Sequence, residues 1–182
     1  MDTDKYTEEI ITEIQVWAPN LFSFRTTRDR GFRFVAGQFA RLGVEAAGEI
    51  VWRAYSIVSA PYDEFLEFYS IVVPGGAFTS QLAALRVGDR VLVERRSLGF
   101  LTTDRFELGR DLWMLSTGTG LAPFLSILYD LKTWETYENL VLVHKRPAPQ
   151  RTGLRGGDPR VPPARSVFPV HDPARLCAGG DA

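Results

Sequence analysis

Three short runs carry residue types that together could hold and use a redox-active dinucleotide: Arg53-Ala54-Tyr55-Ser56, Pro74-Gly75-Gly76-Ala77-Phe78-Thr79-Ser80 and Thr117-Gly118-Thr119-Gly120-Leu121-Ala122-Pro123. An arginine supplies a permanent cation for a pyrophosphate. A tyrosine offers a ring face for a planar heterocycle while its hydroxyl stays wet, and a serine beside it can place a hydroxyl near the edge where hydride arrives and charge shifts. Gly75 and Gly76 let backbone approach a phosphate without a β-carbon clash. Thr79-Ser80, followed by Gln81-Leu82-Ala83-Ala84-Leu85, reads as the capped start of a short helix whose first amides can face an anion. The set reads as a flavin site followed by a nucleotide turn.

No single member suffices. Arg53 alone would be an ordinary solvated strand arginine, Tyr55 and Tyr69 packing aromatics, and Gly75-Gly76 a hairpin turn. The Thr117-Gly118-Thr119-Gly120 run lacks the full G-x-G-x-x-G spacing, with Pro123 near the place of a third glycine. Its context is stronger than its pattern, because it follows a buried strand and opens a helix, where dinucleotides meet helix-terminal amides. His144 and His171 have no second histidine, cysteine or carboxylate at ligand spacing, so no metal is expected. Paired-acid and Ser-His-Asp chemistry have no support.

The elements that must position these residues follow from patterning. Glu9 to Trp17, Leu21 to Arg25, Gln38 to Leu42, Leu66 to Val73 and Asp89 to Glu94 have strand length and composition and are divided by turn residues, which favours an antiparallel barrel. From Asp111 the pattern changes. Leu112 to Ser116 and Leu140 to His144 are continuous apolar runs of buried-strand type, and Leu121 to Lys132 is helical in composition, giving one β-α-β unit. The expected division is therefore a barrel over 1–105 and the first part of an α/β nucleotide domain over 106–144. The 182 residues are 45% hydrophobic and 24% charged with net charge −1, an ordinary globular composition that gives no electrostatic argument for nucleic acid or anionic membrane. With no apolar signal core, no membrane-length span and one cysteine, Cys177, the expectation is a cytoplasmic, monomeric protein without disulfides or an iron–sulfur cluster.

Residues 145–182 break from the rest. Seven of the eleven prolines fall there, with one aromatic, Phe168. So little apolar content cannot offset ordering entropy, and disorder is expected; a basic, proline-rich partner-binding arm is the alternative. Skipping one base after the His144 codon lets permitted codons from Lys145 read S-V-R-H-R-S-E-L-A-Y-A-E, and those from Arg165 read A-Y-F-P-S-T-I-P-R. Two protein-like strings in one shifted frame point to a frame change near His144, genuine or introduced in sequencing.

From about Glu9 to His144 the chain resembles bacterial-type ferredoxin–NADP⁺ reductases, through Gly37-Gln38-Phe39, Arg53 to Ser56, Leu66 to Tyr69, Val73-Pro74, Leu82, Val87-Gly88-Asp89, Thr117 to Gly120, Pro123 and Leu140 to His144. The resemblance implies a six-stranded antiparallel FAD barrel followed by an NADP-binding α/β (Rossmann-like) domain, truncated here. It implies FAD held at Arg53, Ala54, Tyr55, Ser56, Tyr69, Ala77, Phe78, Thr79 and Thr119, with Gly118 and Gly120 shaping the nucleotide turn and Tyr55 and Ser56 nearest the chemistry. Hydride would pass between NADPH and FAD, and single electrons between FAD and ferredoxin or flavodoxin. Such reductases follow the second strand with an arginine for the NADP 2′-phosphate; here Lys145-Arg146-Pro147 stands instead, with Arg146 one place away, so that role is not carried over. Two other readings stay open: the reductase component of an oxygenase, and a non-catalytic FAD-binding fragment.

Overall fold

The structure, a computed structural model, describes residues 5–145 and, as backbone, 166–169. The first unit is a curled antiparallel sheet of β1 (Tyr6–Ala18), β2 (Leu21–Thr27), β3 (Phe39–Ala46), β4 (Glu49–Ser56), β5 (Phe65–Ile71) and β6 (Arg90–Glu94), in the order β4-β3-β6-β1-β2-β5. Its two edges meet at one place: past the end of β4, Ile57 forms a bridge to Phe68 of β5, and the Val58 amide donates to the Glu67 carbonyl at 2.8 Å. The sheet is thus a partly closed six-stranded barrel. Alternation in the strands explains its core. Phe24 and Thr26 of β2 and Leu66, Phe68 and Ser70 of β5 are buried while Arg25, Glu67 and Tyr69 between them are more exposed, as period-two side chains on a one-sided core require; Ser23, on the other face, is buried as well, its hydroxyl accepting the Trp17 indole N–H at 3.0 Å.

Helix α1 (Ala77–Ala84) plugs the barrel with Phe78 and Leu82. It begins two residues earlier than Thr79-Ser80 suggested, with Gly76 at its N-cap and no side-chain cap. Thr79 is engaged elsewhere: its hydroxyl accepts the Val73 amide at 3.1 Å and lies 3.4 Å from the Val73 carbonyl, fastening the preceding turn to the helix.

The second unit contains β7 (Asp111–Thr117), a 3₁₀ turn over Gly118–Leu121, α2 (Ala122–Tyr129), α3 (Leu131–Thr136) and β8 (Asn139–Lys145), with β8 parallel to β7 in unbroken register from Asp111↔Asn139 to Thr117↔Lys145. The expected single helix over 121–132 is two. Asp130 leaves the helical region at φ −76°, ψ 115°, and its carboxylate accepts the Lys132 amide to start α3, the usual effect of aspartate at a helix start. Helix α2 is buried nearly all round because Ile127 and Leu128 pack on the β7–β8 sheet while Ala122 and Leu125 pack on Val58 of the barrel. The strands are covered on one face only among the described residues: Leu112, Met114, Leu140 and Leu142 are buried, whereas Trp113 and Leu115 are exposed, so the two-sided burial expected of continuous apolar runs does not hold. Within the tail expected to lack order, β9 (Ser166–Pro169) pairs antiparallel with β8; the rest of 146–182 lies outside the described residues.

Gly37 sits where the two units meet. Its φ is +93°, and a β-carbon there would fall 1.8 Å from the Leu101 carbonyl oxygen and 3.2 Å from Cδ1 of Ile127. Both the backbone conformation and the space demand glycine. Gly37→Ala is expected to destabilise the protein by about 3 kcal/mol, read as a lowered urea midpoint; an unchanged midpoint would show that the Leu101 segment yields freely.

Candidate functional site

The cleft is built from the barrel rim upward. At the end of β4, period-two alternation turns Tyr55 toward the core edge, where its ring meets Phe68 edge-on at 6.4 Å and Phe78 at 5.5 Å. Its hydroxyl is 2.9 Å from the Ser70 hydroxyl on β5. Burial pushes the Tyr55 phenol above its ordinary value, with the Ser70 hydrogen bond and the Arg53 charge pulling the other way. The phenol is therefore neutral throughout the physiological range and can both donate and accept. Arg53 is exposed, its Nη1 donating to the Trp52 carbonyl at 2.8 Å.

Opposite lies the start of α1. The first amides of a helix have no carbonyl partner within it; here Gly76 brings no capping side chain, and the first turn holds no acidic residue. Gly75 has φ +72°, and a β-carbon on Gly76 would lie 2.8 Å from Thr79 Oγ1 and 3.0 Å from the Val73 carbonyl. The turn is thereby closed tightly enough to present backbone N–H groups rather than side chains. A positive helix end and a guanidinium on one cleft make an anion-binding arrangement.

The third wall comes from the second unit. Gly118 takes φ +53°, which turns the chain at the carboxyl end of β7 and brings Thr119 and Gly120 to the cleft; nothing stands within 4 Å of where a Gly120 β-carbon would be. The resulting cleft, about 460 Å³, is lined by Arg53, Ala54, Tyr55, Ser56, Tyr69, Ala77, Phe78, Thr79, Thr119 and Gly120. Residues distant in sequence, expected from their chemistry and from the family resemblance, thus share one surface. Gly118 is not in the lining and acts through the turn. The Phe78 side chain is buried in the barrel core, so what it can offer a ligand is its amide. Tyr69 is split between the cleft and the contact with Val58, Ala122 and Leu125. Ser56 lines the cleft.

Ser70, Ile71, Val73 and Ala122 also line the cleft and are not among the site residues expected from the sequence. Ser70 had a readable signal: it is the polar member of the inward series Leu66, Phe68, Ser70, and a buried hydroxyl needs a partner.

An anion cradle, a ring-bearing wall and a hydroxyl on one open cleft define a flavin-dinucleotide oxidoreductase domain, and residues 11–97 match the family described as the oxidoreductase FAD-binding domain. Over 139 residues the chain is 48% identical to ferredoxin–NADP reductase A of Sorangium cellulosum, covering 76% of this chain and 50% of that protein. It is 49% identical over 139 residues to the ferredoxin–NADP reductase of Pseudomonas aeruginosa, covering 76% and 54%. A crystal structure of a ferredoxin NADP⁺ reductase from Neisseria gonorrhoeae with bound FAD and NADP matches with a TM-score of 0.74 at 40% identity, over 77% of this chain and 57% of that one. The chain belongs to the ferredoxin–NADP reductase family, and it spans about half the length of the curated relatives it matches.

Tyr55→Phe would leave the Ser70 hydroxyl, almost fully buried, without its partner at a cost of about 1 kcal/mol in urea unfolding. The same variant tests the phenol. Because folding raises the Tyr55 pKa, the folded chain holds that proton more tightly than the unfolded one, and its contribution to stability is whole below about pH 10 and lost as pH rises beyond it. The loss of stability above pH 10 should be shallower in Tyr55→Phe; identical alkaline slopes would contradict the burial of the phenol.

Proposed function

We propose that the cleft binds FAD and that the chain is the flavin-binding part of a reductase moving electrons between NADPH and a ferredoxin or flavodoxin. The observation that carries this reading is the convergence of three separate sequence runs on one cleft, with Arg53 and the uncapped start of α1 set for a pyrophosphate. The residues fit the group: no carboxylate stands in the first turn of α1 to compete with a phosphate, and Gly76 to Thr79, where that turn begins, line the cleft. Arg53 would neutralise the pyrophosphate, Tyr55 and Tyr69 would fix the plane of the ring system, and Thr79 would keep the turn shut. Ser56 would hold a hydroxyl near the reacting edge, where it stabilises charge that develops during transfer. Bound FAD supplies the two-electron to one-electron conversion that neither a nicotinamide nor an iron–sulfur carrier performs alone.

The barrel is read as a flavin domain over 1–105, followed by an incomplete nucleotide domain over 106–144 and an out-of-frame tail. No helix among the described residues is long and apolar enough to cross a membrane; a monomeric, cytoplasmic protein is part of the proposal. NADPH use is read as impaired, since Arg146 falls one place from the arginine expected for the 2′-phosphate; that position lies outside the described residues. The uncovered face of Trp113 and Leu115 favours a second reading, a chain that holds flavin without turning over NADPH.

Arg53→Ala should bind FAD more weakly by about 1.5–3 kcal/mol and purify with much less yellow colour; equal occupancy would sink the assignment. As it stands, the chain should carry FAD yet show little NADPH-dependent dye reduction, and correcting the reading frame after His144 should restore it. Full, NADP-selective activity in the 182-residue form would overturn the frame hypothesis. In the frame-corrected protein Ser56→Ala should keep its FAD and slow flavin bleaching in stopped flow, because its hydrogen bond gains strength only as charge develops.

A further inference from the structure

We propose that the outer face of the barrel carries a second ligand site, between Tyr6, Trp52 and Glu94, for a flat heterocycle that has the 2-amino-4-oxopyrimidine edge shared by guanine and the pterins, with an anionic group beyond it. The flavin reading has no part in this. Strand alternation puts Trp52 on the opposite face of β4 from Arg53 and Tyr55. There a pocket of about 540 Å³ is lined by Lys5, Tyr6, Arg41, Glu49, Trp52 and Glu94, none of which lines the first cleft.

The platform of this pocket depends on a missing side chain. Gly43 of β3 pairs directly with Trp52, and a β-carbon on it would lie 3.1 Å from both Cε3 and Cη2 of the indole. Glycine in mid-strand thus lets the indole lie flat across β3, where it meets the Tyr6 ring at 5.6 Å and 55°. A ring backed by main chain and flanked by a second ring is a surface on which a planar heterocycle can stack.

The polar half of the pocket holds an unspent acceptor. Glu94 stands opposite Tyr6 in the β1–β6 ladder. Its Oε2 is buried yet accepts no hydrogen bond among the described residues, with Arg41 Nη1 3.7 Å away, and a buried acceptor left unpaired is costly. The Arg41 guanidinium also lies 5.8 Å over the Trp52 ring. A planar N–H donor is therefore already set between an aromatic face and a carboxylate, but too far from the carboxylate for a hydrogen bond. The N1–H and 2-amino group of guanine repeat that donor fork on a flat ring, and can meet both carboxylate oxygens while stacking on the indole. Arg41, its side chain 46% exposed, can then turn to the ligand's phosphate or carboxylate alongside Lys5. Adenine places a ring acceptor beside its amino group and would set that acceptor against Glu94, so the same carboxylate rejects it.

The test is isothermal titration calorimetry of the purified protein in excess FAD, with GMP, pterin-6-carboxylate, AMP and inorganic phosphate as probes. GMP or pterin-6-carboxylate should bind with a Kd below about 1 mM, and the tighter of the two names the source of the edge; AMP and phosphate should bind at least about tenfold more weakly. Trp52→Ala should weaken binding by about tenfold or more. Glu94→Gln, which keeps the shape and loses the charge and one acceptor, should weaken it by a similar factor of about ten, and it carries the test if Trp52→Ala lowers the thermal midpoint. No binding of either edge-bearing probe, AMP or phosphate binding as tightly as they do, or parent-like binding by Glu94→Gln would overturn the proposal. Binding kept in Trp52→Ala but lost in Arg53→Ala would put the probe in the first cleft and overturn it equally. A chain that binds GMP through Trp52 and Glu94 but retains no FAD sinks the flavin reading alone.

Discussion

The seating of the second unit on the barrel hangs from the absence of a side chain at Gly37. The Leu101 carbonyl occupies the space a β-carbon would need, so the segment leaving the barrel toward the second unit crosses directly over the segment entering β3. That crossing fixes three things at once. Gln38, the next residue, can reach Val35, Ser97 and Gly99. Phe39 begins β3 in register with Ser56. Ile127 of α2 comes within contact of the same point, so the second unit is seated against the barrel by the same geometry that aligns the strand pair ending at the cleft.

The seating is completed by contacts with unlike energetics. The Ser126 hydroxyl, fully buried, donates to the Ser59 carbonyl at 2.8 Å, and the Tyr62 hydroxyl donates to the Tyr129 carbonyl at 2.6 Å from an exposed position. Val58, Ala122 and Leu125 supply the apolar part. Burial makes the first hydrogen bond costly to leave unmade, whereas the second competes with water. The orientation of the Thr119-Gly120 wall relative to Tyr55 is therefore set mainly by the buried serine contact and the α2 packing, not by the surface tyrosine.

Much of this was legible in the sequence because the barrel strands are one-sided and alternate. Leu66, Phe68 and Ser70 against Glu67 and Tyr69 specify which face is buried, and with it which residues can reach the cleft. The failures share a cause: local propensity does not report where a hydroxyl or carboxylate finds its partner. Thr79 has the residue type of a helix cap but spends its hydroxyl on Val73, and the helix starts two residues sooner. Asp130 sits in a helical run but captures the Lys132 amide and divides it. The apolar runs at Leu112 and Leu140 signalled parallel strands correctly, yet nothing in their composition says whether one face or both are covered. Ser70 escaped notice because its importance belongs to a pair, Tyr55 and Ser70, that is formed only when the edges of the barrel meet.

The two units differ in how far they can stand on their own contacts. The barrel core runs unbroken from Ile11 through Phe24, Leu42 and Phe68 to Leu82 and Val93, and no residue of the second unit belongs to it. The β7–β8 sheet has α2 and α3 on one face and Trp113 and Leu115 in the open on the other, while parallel strands are stable chiefly when both faces are shielded. Helix α2 carries this imbalance, since one side belongs to the sheet and the other to Val58 of the barrel. The barrel thus acts as a scaffold for the Gly118 turn. Thr119 and Gly120 keep their place at the cleft because α2 is held from the barrel side, and that wall can persist even where the sheet behind it is incompletely covered.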